Sequence, residues 1–491
     1  MATAPLSELP FRRARVAPDG PCLVGPAGTC DNAGFASAVL RCAARLQAMG
    51  VDRGDIVAVM LPNSSESVVA MFAAWHRGAA LTPLNPELTD DEARHQLQDS
   101  SAVVLIGDTR SRDLAGGVGI GWIDATTLLA SDDRDESVAG EETGALAEPE
   151  DFALVIYTSG SSSKPYGVLL DHANLEAMSA TMADALGLGA GDASLLVLPL
   201  FHVNGIIVSL LSALRVGGHV VVAPRFAPET FWDLVAQHRP TYFSAVPTIY
   251  ALLDARTSGG VDSSSLRLAV CGAAPLPVEL MERFEKRFDV PIVEGYGITE
   301  CSVAATLNPV EGPRKPGSVG LPLAGQEVAI VDTQGHAVPP GVRGEVVVRG
   351  PHVMRGYLGL PEETAKVLRD GWLHTGELGL LDPDGYLVLV DRIKDVIVRG
   401  GVEVQPREIE DALYQHSSVL EAAVVGRPDP VLGEVPVAYV SAKPGLVVTA
   451  EELRAHCAAT LARYKLPTAI HVYAELPRSS AGKLVKGMLL A

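Results

Sequence analysis

The sequence predicts a layered α/β protein with more than one domain. Three observations carry that expectation. The chain has 491 residues, more than a single hydrophobic core usually organises. From residue 20 to the region of residue 300, short apolar runs alternate with amphipathic helical patterns, the rhythm of helices packed on parallel sheets. From residue 317 to 390 the texture changes to short β segments at close spacing, which reads as a small barrel-like β subdomain. The chain beyond it reads as a separate, small α+β domain.

The elements follow in order. Asp31 can cap a helix whose apolar residues Val39, Leu40, Ala43, Leu46 and Met49 recur at helical spacing, and Gly50 ends it. Residues 56–61 form an unbroken apolar run expected as a buried strand, with a helix over 64–77 and strands at 80–84 and 103–106. Residues 130–150 are acidic and poor in large apolar groups, as a surface connection would be. Strands are expected at 152–157, 168–170, 194–198, 220–223, 242–246 and 268–271, then at 328–331, 344–348 and 386–390. A domain boundary is expected at residues 391–395, dividing 1–391 from 392–491. The second part should contain a helix at 406–414, strands at 422–425 and 437–440, and a helix at 449–463.

Composition excludes several classes. Asp and Glu number 59 against 39 Lys and Arg, a net charge of −20. That argues against a nonspecific nucleic-acid or anionic-membrane surface. Hydrophobic residues at 47% and charged residues at 20% describe a folded chain rather than a disordered one. The six cysteines form no CxxC pair and no Cys/His metal spacing, so a reduced, cytoplasmic setting is expected. Residues 1–13 lack the apolar run of a signal peptide. The greasiest region, 195–223, is interrupted by Pro199, His202, Asn204, Gly205 and Arg215. A membrane span needs about 20 largely uninterrupted apolar residues, so this region is expected as buried strand and helix.

The stretch with the clearest chemistry is Tyr157-Thr158-Ser159-Gly160-Ser161-Ser162-Ser163-Lys164-Pro165-Tyr166-Gly167-Val168, set between two strand-like runs. Hydroxyls donate hydrogen bonds, glycine admits close backbone approach, and successive amides can form an anion-binding nest. Phosphate suits such a turn. It is not a Walker loop, because no Gly-Lys-Ser/Thr closes it.

The stretch resembles the signature loop of the adenylate-forming superfamily, in its acyl-CoA synthetase/ligase branch. Thr158, Ser159, Gly160, Pro165 and Gly167 match; Ser163 stands where glycine is usual and Tyr166 where lysine is usual. Further matches follow in the same order along the chain. Pro199 to Gly205 is similar to the carboxylate-pocket segment. Gly272-Ala273-Ala274-Pro275 is similar to the adenine-side loop. Tyr296-Gly297-Ile298-Thr299-Glu300 is similar to the motif whose Tyr stacks on adenine, whose Thr touches the α-phosphate and whose Glu holds Mg²⁺. Thr375-Gly376-Glu377 is similar to the ribose-binding motif, with Glu for the usual Asp. Arg392 matches a nucleotide-side arginine, Lys394 a hinge, Gly400-Gly401 the turn lining the pantetheine tunnel, and Lys483 the lysine that meets the reacting carboxylate and α-phosphate.

Each match alone has a bland reading. His202 suits a core histidine, Glu300 an acid at a helix start, Lys394 and Lys483 solvated charges, and Gly400-Gly401 a hairpin turn. Their colinearity over most of the chain favours the family. The resemblance implies a large N-terminal domain of two layered α/β subdomains plus the β subdomain, and a mobile C-terminal domain. It implies ATP or the AMP moiety of an acyl adenylate, Mg²⁺ and coenzyme A as ligands, and Lys483, His202, Glu300 and Thr299 as catalytic residues. His202, Val203, Gly205, Val246, Gly272 and Gly297 are the expected acyl-pocket residues; being small or apolar, they suit a hydrophobic monocarboxylic acid.

The two departures have a direction. Losing one charge-assisted hydrogen bond at Tyr166 costs about 1.5–3 kcal/mol. Holding Ser163 in a left-handed turn costs roughly 1–2 kcal/mol. Together, about 2.5–5 kcal/mol lost at the transition state slows adenylation by roughly 10² to 10⁴. The groups for AMP are retained. The sequence therefore predicts an enzyme that thioesterifies acyl adenylate competently and forms it poorly, with a separate adenylating enzyme supplying it. A normal two-step ligase, an acyl-AMP ligase loading a carrier-protein phosphopantetheine, and a non-catalytic acyl- or nucleotide-binding protein stay open, as does a monomer or homodimer.

Overall fold

The computed structural model describes residues 5–26, 28–129, 147–158, 165–478 and 484–489. Two large sheets form its body. The first has nine strands and a parallel centre: Ile292–Tyr296, Leu268–Cys271, Tyr242–Ala245, Ala193–Leu196, His219–Val222 and Pro21–Gly25 lie side by side. The second has seven strands, with Phe152–Thr158, Ala80–Leu84, Ile56–Met60, Val104–Gly107 and Gly121–Asp124 parallel. Both carry antiparallel strands at an edge, which the alternation of strand and helix does not reveal. Tyr166–Asp171 pairs antiparallel with Phe152–Thr158, and Gly356–Tyr357 pairs antiparallel with it in turn.

One core fills the space between the sheets. Leu196, Val220 and Leu268 from the first sheet share it with Val57, Leu81, Val104 and Leu154 from the second. Helix Ser65–His76 is its centre. Ser64 caps it through Ser67 N, and ten residues from Ser67 to His76 are buried, as a helix hydrophobic all round must be. Trp75 packs edge-on against Phe72 and His172, and its Nε1 donates to Ala153 O at 2.8 Å. Trp75→Ala removes that volume and leaves a cavity, a loss of about 3–5 kcal/mol. Asn63 ties the sheets by backbone contacts: Nδ2 donates to Leu198 O and Ala223 O, and Oδ1 accepts from Leu200 N. A second core covers the other face of the nine-stranded sheet under helices Pro228–His238, Pro247–Arg256 and Val278–Phe288.

The close-spaced β segments form a five-stranded antiparallel sheet of Glu327–Val331, Gly344–Arg349, Leu368–Arg369, Trp372–Leu381 and Leu387–Arg392. The chain leaves that sheet at Arg392 and enters another at Ile397, passing through the short turn Ile393–Asp395. The last sheet, also of five strands, has its own core, which includes Ile409, Leu413, Val424, Val440 and Leu453. Most expected elements recur within a residue or two. Strands Val419–Asp429 and Gly433–Ala442 run longer than the expected four residues at each, because they pair along ten registered positions. Residues 205–211 form a π-helix. Among the described residues, no helix is long and apolar enough to cross a membrane, and all six cysteines are free.

Candidate active site

Chain order reverses in the nine-stranded sheet at Ala193–Leu196, which pairs with His219–Val222 on one side and Tyr242–Ala245 on the other. Open α/β sheets bind ligands outside the carboxyl ends of their strands at such a switch point. The expected residues lie there. His202, Val203, Asn204 and Gly205 follow Ala193–Leu196; Val246 follows Tyr242–Ala245; Gly272 to Pro275 follow Leu268–Cys271; Gly297, Thr299 and Glu300 follow Ile292–Tyr296.

The loops are held by specific contacts. A Cβ on Gly272 would lie 3.6 Å from Gly295 O and 3.9 Å from Asn204 Nδ2, so three strand ends meet at that glycine. Ala273 adopts φ +69°, left-handed backbone that an alanine rarely tolerates. Pro275 is followed by Leu276, whose amide donates to Glu294 Oε1 at 3.0 Å. Glu294 is buried, and burial raises its carboxyl to about 7 although the Leu276 amide and Arg407 pull the other way. A Cβ on Gly297 would lie 2.2 Å from Val303 O, and one on Gly205 2.6 Å from Pro199 O. Both glycines are demanded by close backbone approach. Val203 packs in the core between the sheets and Val246 in the outer core, and the His202 ring lies 4.8 Å from that of Phe201.

Polar side chains from two neighbouring strands gather around Tyr296. This tyrosine is buried, and burial followed by the nearby Glu377 carboxylate holds its phenol well above the usual range, with Thr375 and Arg392 also beside it. Glu377 and Arg392 are registered partners on neighbouring strands, and Arg392 Nε donates to Glu377 Oε1 at 3.0 Å. Gly376, at φ +70°, lies within strand Trp372–Leu381 where its register with Gly344–Arg349 shifts. Thr375 Oγ1 donates to Val346 O and accepts from Glu377 N. A set of donors, a carboxylate and a buried aromatic ring can hold a nucleoside.

The other side of the site has different chemistry. Thr299 and Glu300 open a short helical turn, Thr299–Cys301. The Glu300 carbonyl accepts from Met354 N at 2.8 Å, and its Oε1 accepts from Tyr357 Oη at 2.9 Å. Burial, then the Glu300 carboxylate, raise the Tyr357 phenol, so it stays protonated and donates. Tyr166 lies 5.2 Å from the Tyr357 ring, centroid to centroid. Thr158 and Tyr166 are registered partners where the signature stretch leaves and re-enters the sheet. Mg²⁺ keeps several waters and is usually held by one or two carboxylates together with substrate phosphates. Among the described residues no group of three or more His, Cys, Asp or Glu could hold a metal, and the lone Glu300 carboxylate fits the shared mode.

On the last sheet, Gly400 and Gly401 make the two-residue turn between Ile397–Arg399 and Val402–Val404, with φ +60° and +82°. This is the positive-φ pair that a tight hairpin selects, and Gly400 N donates to Leu432 O at 2.7 Å. Arg478 donates to Thr248 Oγ1 at 2.8 Å and pairs with buried Glu421, linking the end of the chain to the helix after Val246. Ser159, Gly160, Ser163 and Lys483, and the side chain of Lys394, lie outside the described residues. Sequence reasoning missed Tyr357 and Thr375 as parts of the site. Thr375 stood inside the quoted Thr-Gly-Glu motif. Tyr357 had no local pattern, since only folding brings it to Glu300.

At the strand ends of the nine-stranded sheet, buried Tyr296 stands beside the Glu377–Arg392 pair, and Glu300 is held by Tyr357 next to Tyr166, a set of groups suited to a nucleotide ligand. Residues 11–358 match the AMP-binding enzyme family and residues 408–483 its C-terminal domain. A feruloyl-CoA synthase from an Amycolatopsis species is 36% identical over 487 residues, 98% of each chain. An oxalate–CoA ligase from Arabidopsis thaliana is 36% identical over 462 residues, 90% of each. The solved structure of O-succinylbenzoate CoA synthetase from Bacillus subtilis, in complex with its acyl-adenylate intermediate, matches with a TM-score of 0.88 at 32% identity, covering 99% of this chain and 98% of that one. The chain belongs to the AMP-binding enzyme family and is an acyl-CoA ligase of the adenylate-forming superfamily.

Proposed function

We propose that the protein joins a hydrophobic monocarboxylic acid to coenzyme A through an acyl adenylate, and that the first of the two steps is the weak one. The observation carrying this is the contrast across the cleft. Tyr296, Thr375, Glu377 and Arg392 lie together and are read as the nucleoside side, whereas the strand after the signature stretch begins on Tyr166, which brings a ring and no cation.

In the first step a carboxylate oxygen attacks the α-phosphorus of ATP, and the bond to the β-phosphate oxygen breaks to release pyrophosphate. Glu377 binds the ribose hydroxyls, Arg392 orients Glu377, Tyr296 stacks on adenine between the Gly272-Ala273-Ala274-Pro275 loop and Gly297, and Thr299 donates to the α-phosphate. The outer phosphates are assigned to Thr158, Ser159, Gly160 and Ser163, as the family resemblance implies. Glu300 would hold Mg²⁺, which when bound would neutralise charge on the phosphates. Lys483 stabilises charge at the pentavalent centre, and His202 closes the acyl pocket with Val203, Gly205 and Val246. In the second step the CoA sulfur attacks the acyl carbonyl and AMP leaves, the thiol proton passing to solvent. The 392–491 domain turns on 1–391 about Lys394, and the Gly401 turn faces the pantetheine arm. The chain's passage between sheets within residues 393–396 supports that division.

The test pairs ATP–pyrophosphate exchange with CoA consumption from synthetic acyl adenylate. Slow exchange beside brisk thioesterification is expected; a partner enzyme would then supply the adenylate. Exchange at an ordinary ligase rate leaves the full two-step cycle. One observation favours that second reading. Lys366, on helix Pro361–Val367, is close enough to Tyr166 to interact electrostatically with it, although Glu363 holds its ammonium at 2.5 Å. Loss of exchange in Lys366→Ala would identify it as a replacement cation.

A further inference from the structure

Tyr166 does more than subtract a charge. Its ring lies 5.2 Å from Tyr357 at 58°, and Tyr357 Oη donates to Glu300 Oε1 at 2.9 Å. One strand sets the position of both rings. Tyr166 begins Tyr166–Asp171, and Gly356–Tyr357 pairs with that strand through Gly356↔Leu169 and Tyr357↔Val168. Arg355 N donates to Leu169 O at 3.0 Å and Leu358 N to Gly167 O at 2.8 Å, on either side of the pair. Thr364 Oγ1 accepts from Tyr357 N at 2.9 Å, fixing the backbone from the helix side. Close packing keeps this register: a Cβ on Gly167 would lie 3.3 Å from Leu358 Cβ.

Glu300 is tied to the same segment from its own backbone. Met354 N donates to Glu300 O at 2.8 Å, and Ser302 Oγ donates to His352 O at 2.6 Å. Ser302 adopts φ +59° in doing so, a conformation that surrounding contacts must hold in place. The carboxylate is thus oriented by the strand that carries the signature loop, through two tyrosine rings and one hydrogen bond.

We propose that Tyr357 is a positioning residue for the Glu300 carboxylate and that Tyr166 is the packing support that holds Tyr357 in place. The loop substitution thereby rewires control of Glu300 instead of only deleting a lysine. A carboxylate that shares a cation with a nucleotide needs one oxygen anchored so that the other presents to the cation. Partners of a liganding carboxylate typically change metal affinity by roughly 10- to 100-fold when removed. The inference rests on Glu300 as the Mg²⁺ carboxylate, proposed above.

The experiment measures the Mg²⁺ dependence of ATP binding to the full-length protein by calorimetry, with metal-free AMP binding and thermal melting as controls. Tyr357→Phe keeps the ring and deletes the donor. It is expected to raise the Mg²⁺ concentration at half-effect roughly tenfold or more, with metal-free AMP affinity unmoved. Tyr166→Ala is expected to give a smaller shift of the same kind, Tyr166→Phe little shift, and Tyr166→Ala combined with Tyr357→Phe no more than Tyr357→Phe alone. An additive double variant, or a Tyr357→Phe titration that overlays the parent, overturns the proposal. Glu300→Gln separates the two levels. A shift there with none in Tyr357→Phe rejects this inference alone, and no shift in either rejects the metal role as well. If Tyr357→Phe melts early, the Tyr166→Ala and Tyr166→Phe pair carries the same comparison.

Discussion

The two sides of the cleft are built to different rules. On the nucleoside side, Glu377 and Arg392 face each other across a ladder, and Thr375 bonds both the neighbouring strand and the Glu377 amide. Thr375, Glu377 and Arg392 are paired within the sheet, while the buried Tyr296 hydroxyl has no hydrogen-bond partner among the described residues. On the phosphate side, Glu300 sits on a three-residue turn, followed by Ser302 and Val303 at φ +59° and +158°, and a phenol holds its carboxylate. Sheet pairing preorganises the first region, whereas the second depends on turns and side chains. Of the residues matched to family motifs, Ser163 and Tyr166 depart in the signature stretch and Glu377 departs in the ribose-type motif.

The comparison can be broken most directly at the loop. Ser163→Gly with Tyr166→Lys should raise ATP–pyrophosphate exchange by up to roughly 10² to 10⁴, with thioesterification of synthetic acyl adenylate changing far less. No gain would reject the proposal that the loop slows adenylation. Glu377→Ala should weaken AMP binding by roughly 10- to 100-fold, the worth of a charged hydrogen bond, and should slow both half-reactions together. An effect confined to one half would show that the nucleoside cluster is not shared between them.

A third prediction concerns pH. Burial raises the Glu294 carboxyl from 4.5 to about 7. A carboxyl whose folded value is raised binds its proton more tightly in the native state. Its contribution is therefore full below about 4.5 and is lost as pH rises through about 7. Asp411, raised to about 6 by burial, acts in the same direction. Between pH 5 and 8 the melting temperature should fall more steeply in the parent than in Glu294→Gln, and parallel curves would refute the assignment. The smallest expected effect is at Gly401, where φ is +82° and no atom lies within 4 Å of an added Cβ. Gly401→Ala should cost roughly 1–2 kcal/mol of backbone strain. It should slow thioesterification more than exchange, measured side by side.

Much of the fold was legible in sequence. Val57 and Val59 lie in an unbroken apolar run, and Asp31 caps the helix it precedes. Their signals are local, so a window of residues contains them. The antiparallel edges were not legible, because Gly356–Tyr357 is two residues long and becomes a strand only by pairing with a segment nearly two hundred residues earlier. The reason for Gly205 and Gly297 was also hidden. As pocket residues they were expected to be small for a ligand, whereas carbonyl oxygens of Pro199 and Val303 already occupy the space a side chain would need.

By itself the sequence determined the layered α/β class, since residue type and local periodicity carry it, and its resemblance to the family supplied the order of the motifs and the missing cation at position 166. Tertiary structure alone decided which groups meet. Tyr166 reaches Glu300 through Tyr357, and Tyr296 shares one buried space with Glu377 and Arg392. Such contacts join residues distant along the chain, and their energies depend on burial and orientation, which no stretch of sequence contains until the strands have paired.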